Sequence, residues 1–324
     1  MSLQLKLKPK LKPAPLNQGA LLDIAIIGGG PAGLTAAIYA LRAKQKIVLI
    51  EKMILGGMAS TTFLIENYPG FPEGLSGMEL SNRLQDQVKK LGLDICWGQA
   101  ININKLNPYF EIEVDTKKFI AKTVIIATGT ESAKLGIPGE NEFLGRGVSY
   151  CATCDGAFYK DKQIIVIGGG NAALEEALFL TRYASKVSIV HRRDQLRADK
   201  ILAERAKANP KIYFFWNSVI EKIYGENKVT GVNLKDMHTN KLLNLNIDGV
   251  FIYAGKRANS EIVKDMVKLN KDSFIITNTD LKSSLDGLYA AGDVREKGLR
   301  QIVTAVADGA IAAVNCIKYI ENSK

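Results

Sequence analysis

Ile24-Ala-Ile-Ile-Gly-Gly-Gly-Pro-Ala-Gly33 is a short apolar run broken by a glycine turn, and Ile164-Ile-Val-Ile-Gly-Gly-Gly-Asn-Ala-Ala173 repeats it at an offset of 140 residues. Four consecutive apolar residues before a glycine turn predict a buried strand. The Ala-rich stretch from Leu34 to Arg42 predicts a helix, and Ile47-Val-Leu-Ile50 predicts a second strand that ends at Glu51. The later copy keeps this spacing without a gap: Arg42 falls on Arg182, Lys46 on Lys186 and Glu51 on His191. One G-x-G-x-x-G is a weak signal. Two copies in the strand–turn–helix–strand context predict two dinucleotide-binding domains, against the blander reading of two unrelated glycine turns.

The residue types follow from the chemistry. Gly28 and Gly168 permit the tight turn, Gly30 and Gly170 let a pyrophosphate approach the backbone, and Gly33 and Ala173 let helix pack on strand. Pro31-Ala32 and Asn171-Ala172 open the helices, whose free N–H groups attract phosphate. Glu51 closes the first copy with a carboxylate, which binds ribose hydroxyls and repels a 2′-phosphate, so this copy suits FAD or NAD. His191-Arg192-Arg193 with Arg197 closes the second. In register with Glu51, these arginines are expected to fork onto the 2′-phosphate of NADPH rather than form a solvated basic loop.

The expected fold is α/β, with two Rossmann-like domains, the second inserted into the first. Residues 1–19 form an extension, 20–130 and 252–324 the FAD-binding domain, and 131–251 the NADPH-binding domain with the cysteine pair. Thr123-Val-Ile-Ile-Ala-Thr128-Gly129 leads out of the first domain, and Leu285-Asp-Gly-Leu-Tyr-Ala-Ala-Gly292-Asp293 belongs to it after the return. The crossings are expected near residues 127–135 and 248–256. Gly129, Gly136, Gly139, Gly249 and Gly255 would permit hinge torsions there. Dithiol and nicotinamide would ride on one domain and the flavin on the other, so turnover is expected to need a domain rotation.

Cys151-Ala-Thr-Cys154 stands just before the second glycine loop. Two sulfurs at this spacing can cycle between dithiol and disulfide. Structural zinc needs about four ligands, and the chain adds only Cys96, Cys316, His191 and His238, dispersed in sequence. No metal is therefore expected, and Cys96 and Cys316 are expected to be buried hydrophobes. Asp155 follows the pair as a candidate proton donor or a plain helix-capping carboxylate.

Composition narrows the class. The 324 residues favour two domains. The net charge of +10 includes Lys6, Lys8, Lys10 and Lys12 of a Leu/Lys/Pro tail. No basic stripe with interleaved aromatics points to nucleic acid. No apolar run approaches the ~20 residues of a membrane span, and four cysteines with one close pair fit a reducing cytoplasm.

Taken together, these motifs resemble low-molecular-weight thioredoxin reductase, from about Asp23 to the end. Gly28 to Gly33 resembles its FAD loop, Glu66-Asn67-Tyr68-Pro69-Gly70 its flavin-proximal segment, and Cys151 to Gly156 its redox motif. Gly168 to Ala173 with His191-Arg-Arg-Asp-x-x-Arg197 resembles its NADPH site. Gly292-Asp293 and Arg300-Gln301 resemble its C-terminal FAD contacts, and Gly57, Thr128 and Gly129 join the implied FAD set. The resemblance implies a homodimer with one FAD per subunit, NADPH as donor, Asp155 as acid and thioredoxin as partner. Three segments depart from the family: Met58-Ala-Ser, where Gln is common, the stretch 292–298, and the basic Tyr253-Ala-Gly-Lys256-Arg257. They leave a peroxiredoxin, a glutaredoxin-like protein or a ferredoxin-linked system as alternative partners. A non-catalytic flavin scaffold is disfavoured by the retained nucleotide loops and dithiol.

Overall fold

The computed structural model describes residues 20–323, so the expected extension, 1–19, lies outside the described residues. The chain forms two compact units: residues 20–130 with 258–323, and Glu131–Arg257. The first unit opens with β1 (Leu21–Ile27), α1 (Pro31–Arg42), β2 (Ile47–Glu51), α2 (Gly77–Lys90) and β3 (Ile95–Trp97). A meander of β4 (Ala100–Leu106), β5 (Tyr109–Val114) and β6 (Lys117–Ile126) follows, and β7 (Thr130–Ser132) leads out.

The second unit continues with β8 (Val148–Ser149), α3 (Ala152–Asp155), β9 (Gln163–Ile167), α4 (Asn171–Leu180), β10 (Lys186–Val190), α5 (Lys200–Ala208) and β11 (Ile212–Phe215). The antiparallel strands β12 (Ser218–Gly225), β13 (Val229–Asp236) and β14 (Leu242–Asn246) form a separate sheet. β15 (Gly249–Ile252) then joins β8 to β9 in a five-stranded parallel sheet, order β11-β10-β9-β15-β8. The sequence reading ends this domain at residue 251, but Ile252 pairs with Ile167 and the unit runs on to Arg257. β16 (Lys256–Ala258) pairs with β7. The first unit is completed by β17 (Leu288–Ala290) beside β6 and by α6 (Ile302–Asn322).

The 140-residue duplication is carried into strand register. Ile24 pairs with Ile47 and Ile27 with Ile50; Ile164 pairs with Val187 and Ile167 with Val190, 140 residues later in each case. The turns match too. The N–H of Gly28 donates to Ile50 O at 2.8 Å and that of Gly168 to Val190 O at 3.0 Å. β1 is apolar throughout because both its faces are covered. Ile24 and Ile26 pack with α1 and α6, whereas Ala25 and Ile27 pack with Phe110 and Ile112.

By length and apolar composition alone, α6 could cross a membrane. Here it is a packing helix, with Ala312, Ala313 and Cys316 in the core beside Leu34, Ala36 and Ala37 of α1. A Cβ on Gly309 would collide with the Ala32 carbonyl, so the glycine sets how closely the two helices approach.

Candidate active site

In the first unit, Gly28 adopts φ +108°, and a Cβ there would meet the Ala127 carbonyl. Around Gly30 a Cβ would find nothing within 4 Å. This open space, beside the acceptor-less first-turn N–H groups of α1, fits a pyrophosphate. Glu51 Oε2 accepts from Gly29 N at 2.7 Å and Oε1 from Met53 N at 2.8 Å. The carboxylate thus holds the loop and retains lone pairs for ribose hydroxyls.

Of the other expected FAD residues, Gly57 and Gly292 lie against the first loop and its helix. Gly57 would bring a Cβ within 3.3 Å of Gly30, and Gly292 would bring one within 2.9 Å of the Ala32 side chain. Asn67 donates to Gln301 Oε1 at 3.3 Å, and Gln301 caps α6 reciprocally with Thr304. Thr128 Oγ1 donates to Asn259 O at 2.6 Å, and Gly129 O accepts from Asn259 N at 3.0 Å. Arg300 lies 3.8 Å over the Phe274 ring and donates to Asp293 O, so it is tied to the loop itself.

Sequence reasoning missed what holds Gly292-Asp293 in place. Asp308, buried on α6, accepts from Gly292 N at 3.0 Å, from Arg295 Nε and Nη2 at 2.8 Å each, and from Lys297 Nζ at 2.9 Å. Burial pushes its pKa up, but the bonds from Arg295 and Lys297 outweigh that and hold it below the usual carboxylate value. Its stabilisation is complete above the ordinary Asp pKa and is lost as pH falls through the lower folded value. The one signal in the sequence was an aspartate in an otherwise apolar helical stretch. Asp308→Asn should leave the two cations underpaired, a cost of about 3–5 kcal/mol. The melting temperature of purified Asp308→Asn protein should therefore fall by several degrees. An unchanged melting temperature would show that the network is dispensable.

In the second unit, Gly168 has φ +143° and Gly170 again faces open space. Ala173, at the third-glycine position, is buried and would lie 2.8 Å from a Cβ on Gly168. Asn171 is engaged by Asp199: its Nδ2 donates to Asp199 Oδ2 at 2.7 Å and its Oδ1 accepts from Asp199 N at 2.8 Å. Ala172 is half-buried beside it.

His191 is packed beneath the second loop. It is 5% exposed, its ring would block any Cβ on Gly169, and Trp216 meets it edge-on. Its Nε2–H donates to Gln195 O at 3.0 Å. Burial lowers its pKa and outweighs that bond, while Arg197, Arg193 and Arg192 push it further down. His191 thus supports the glycine loop from beneath, and the arginines beside it remain the groups expected at the phosphate. Arg192, Arg193 and Arg197 are exposed, and among the described residues none pairs with a carboxylate. They form the basic cluster that could hold a 2′-phosphate. Gly249 departs from expectation: it lies within β15, where a Cβ would strike the Tyr159 ring, so it serves packing rather than a hinge.

The cysteine pair sits at the start of α3, bonded Cys151–Cys154 with Cα atoms 5.3 Å apart. Cys154 is exposed and Cys151 half-buried. The N–H of Cys154 donates to Cys151 Sγ at 3.3 Å, Cys151 N donates to Ser149 Oγ at 3.0 Å, and Ala152 N donates to the Tyr253 hydroxyl at 2.9 Å. Upstream, buried Glu140 accepts from Leu135 N, Gly136 N and the Tyr150 hydroxyl, which fixes the approach to Cys151. Asp155, half-buried, borders a groove of about 210 Å³ lined also by Arg146, Phe158, Lys162 and Lys228. Phe158 is 74% exposed there. Cys96 and Cys316 are both buried free thiols, their acidity suppressed by desolvation.

The family model for pyridine nucleotide-disulphide oxidoreductases matches residues 22–309. The chain belongs to this family. Its sequence is 46% identical over 307 residues to the thioredoxin reductase of Bacillus subtilis, covering 94% of this chain and 97% of that protein. The crystal structure of Lactococcus lactis thioredoxin reductase superposes with a TM-score of 0.91 at 43% identity, covering 93% of this chain and 99% of that one. The structure of T. acidophilum thioredoxin reductase gives 0.88 at 34% identity, covering 94% and 99%.

Proposed function

We propose that this chain is a thioredoxin reductase, moving electrons from NADPH through FAD and the Cys151–Cys154 pair to oxidised thioredoxin. The observation that carries the reading is the bonded cysteine pair on the same compact unit as the arginine-bearing nucleotide loop. Gly28, Gly30, Pro31, Ala32, Gly33, Glu51, Gly57, Asn67, Thr128, Gly129, Gly292, Asp293, Arg300 and Gln301 would hold FAD. Gly168, Gly170 and Ala173 would cradle the NADPH pyrophosphate, with Arg192, Arg193 and Arg197 on its 2′-phosphate. Bound FAD supplies the two-electron relay between nicotinamide and disulfide.

The chain's own residues do the rest. The Cys154 N–H and the start of α3 favour negative charge on Cys151 Sγ. A thiolate of the pair attacks the partner disulfide, forming a mixed disulfide, and the second cysteine displaces the reduced partner. Asp155, next to Cys154, holds the proton for the departing sulfur. Exposed Phe158, flanked by Arg146, Lys162 and Lys228, offers a protein partner an apolar contact with a basic rim. The reading includes a cytoplasmic homodimer acting free of membrane and nucleic acid.

The test is NADPH oxidation by the holoenzyme against thioredoxin, a glutaredoxin-like protein, a peroxiredoxin and ferredoxin. Thioredoxin should give the highest kcat/KM of the panel. Turnover with another partner and none with thioredoxin would overturn the assignment.

A further inference from the structure

One buried carboxyl of the second unit takes no part in these steps. Glu176 lies on α4, one helical turn before Leu180. The side chains of Leu180 and Phe179 come within 3.1 and 3.2 Å of where a Cβ on Gly156 would stand, so α4 runs along the segment that leaves the redox motif. Ala152 is buried in the same cluster as Ala173 and Ala177, the helix neighbours of Glu176. Glu176 Oε2 is shielded from solvent and has no hydrogen-bond partner. A charge in that position is poorly compensated. Burial and then the charge of Glu175 push the carboxyl pKa up to about 7, against the opposing pull of Lys256.

Tyr253 packs against the same cluster as Ala152, Ala173 and Ala177, between α4 and the motif. Its hydroxyl accepts from Ala152 N at 2.9 Å, between the two cysteines. A phenol that accepts in this way still has its own proton to donate. Burial first, and then the charge of Glu176, suppress its acidity, and Asp155 acts on it in the same direction. The charged groups around the pair are thus Glu175 on the same helix, Lys256 after β15 and Asp155 at the end of α3.

We propose that Glu176 is a pH-responsive positioning residue for the redox motif, acting through Tyr253. With the carboxyl protonated, Tyr253 stays on the Ala152 N–H and Glu176 adds no negative charge behind the sulfurs. Once ionised, the carboxylate draws the Tyr253 O–H toward itself and opposes the negative charge that reduction places on sulfur. The disulfide is then harder to open on the alkaline side.

The experiment equilibrates the purified holoenzyme with dithiothreitol of varied oxidised-to-reduced ratio between about pH 5.5 and about pH 8.5, a span that brackets the expected titration. In each exchange the enzyme S–S bond breaks and takes two electrons and one proton, leaving one thiol and one thiolate, while the two dithiothreitol thiols join as its disulfide and their second proton goes to the buffer. Alkylation and mass measurement give the fraction opened. At acid pH, wild type and Glu176→Gln should coincide. At the alkaline end the Gln variant should be easier to reduce by on the order of tenfold, the effect of a coupling of about one pKa unit. Tyr253→Phe should shrink the wild-type bend to less than about threefold, because the link to Ala152 is gone. A bend of wild-type size in either variant overturns the proposal. The inference rests on Cys151–Cys154 cycling as proposed above. A disulfide that no dithiothreitol ratio opens defeats that reading, whereas a pair that cycles along identical curves in wild type and Glu176→Gln defeats only this one.

Discussion

Cys151→Ser and Cys154→Ser are each expected to abolish thioredoxin reduction while leaving the flavin reducible by NADPH. Both sulfurs are required because exchange passes through a mixed disulfide that the second thiol must resolve. Loss of one member of a unit that works together removes nearly all of its effect, so turnover should drop on the order of a thousandfold or more. The pair lies on α3, outside both glycine cradles, and neither serine replacement disturbs Gly168 or the arginine cluster. Stopped-flow absorbance of the flavin and a thioredoxin-coupled assay separate the two steps. Wild-type turnover in Cys154→Ser would remove the dithiol from the electron path.

The second large effect concerns cofactor choice. Arg192→Ala and Arg197→Ala should each weaken NADPH binding by roughly tenfold to a hundredfold, since a hydrogen bond to a charged group contributes about 1.5–3 kcal/mol. NADH, which lacks the 2′-phosphate, should be nearly unaffected. His191→Ala should behave differently. It removes a buried ring packed under Gly169, so both nucleotides should weaken together. Equal losses for NADPH and NADH in the arginine variants would assign those side chains to the common part of the cofactor instead.

These contrasts show which levels of structure were legible in the sequence. The glycine loops were, because the torsions at Gly28 and Gly168 and the strand on either side are local properties of the chain. Their duplication extends to strand register because it was preserved without insertion from Ile24 to Glu51 and from Ile164 to His191. The cysteine pair was legible for the same reason: three bonds of chain set whether two sulfurs can meet.

What was hidden depends on contacts distant in sequence. His191 reads as part of a basic motif, and only Trp216, brought over it after β11, shows that it is covered. Asp308 meets Arg295 and Lys297 through an irregular loop that no periodicity describes. Gly249 reads as a hinge residue until the Tyr159 ring is placed against it. Glu176 had a signal that went unread. It sits between Ala173, Ala177 and Leu180 on a helix whose buried face those residues mark, and a carboxylate beside such a face calls for an explanation.

The account's central claim is that electrons from NADPH reach the sulfurs of Cys151 and Cys154. The most direct measurement incubates the FAD-loaded enzyme anaerobically with NADPH alone, quenches with an alkylating reagent and weighs the peptide that contains both cysteines. The account predicts two alkyl groups on that peptide after NADPH and none before it. A peptide that stays disulfide-bonded while the flavin is fully reduced would contradict it.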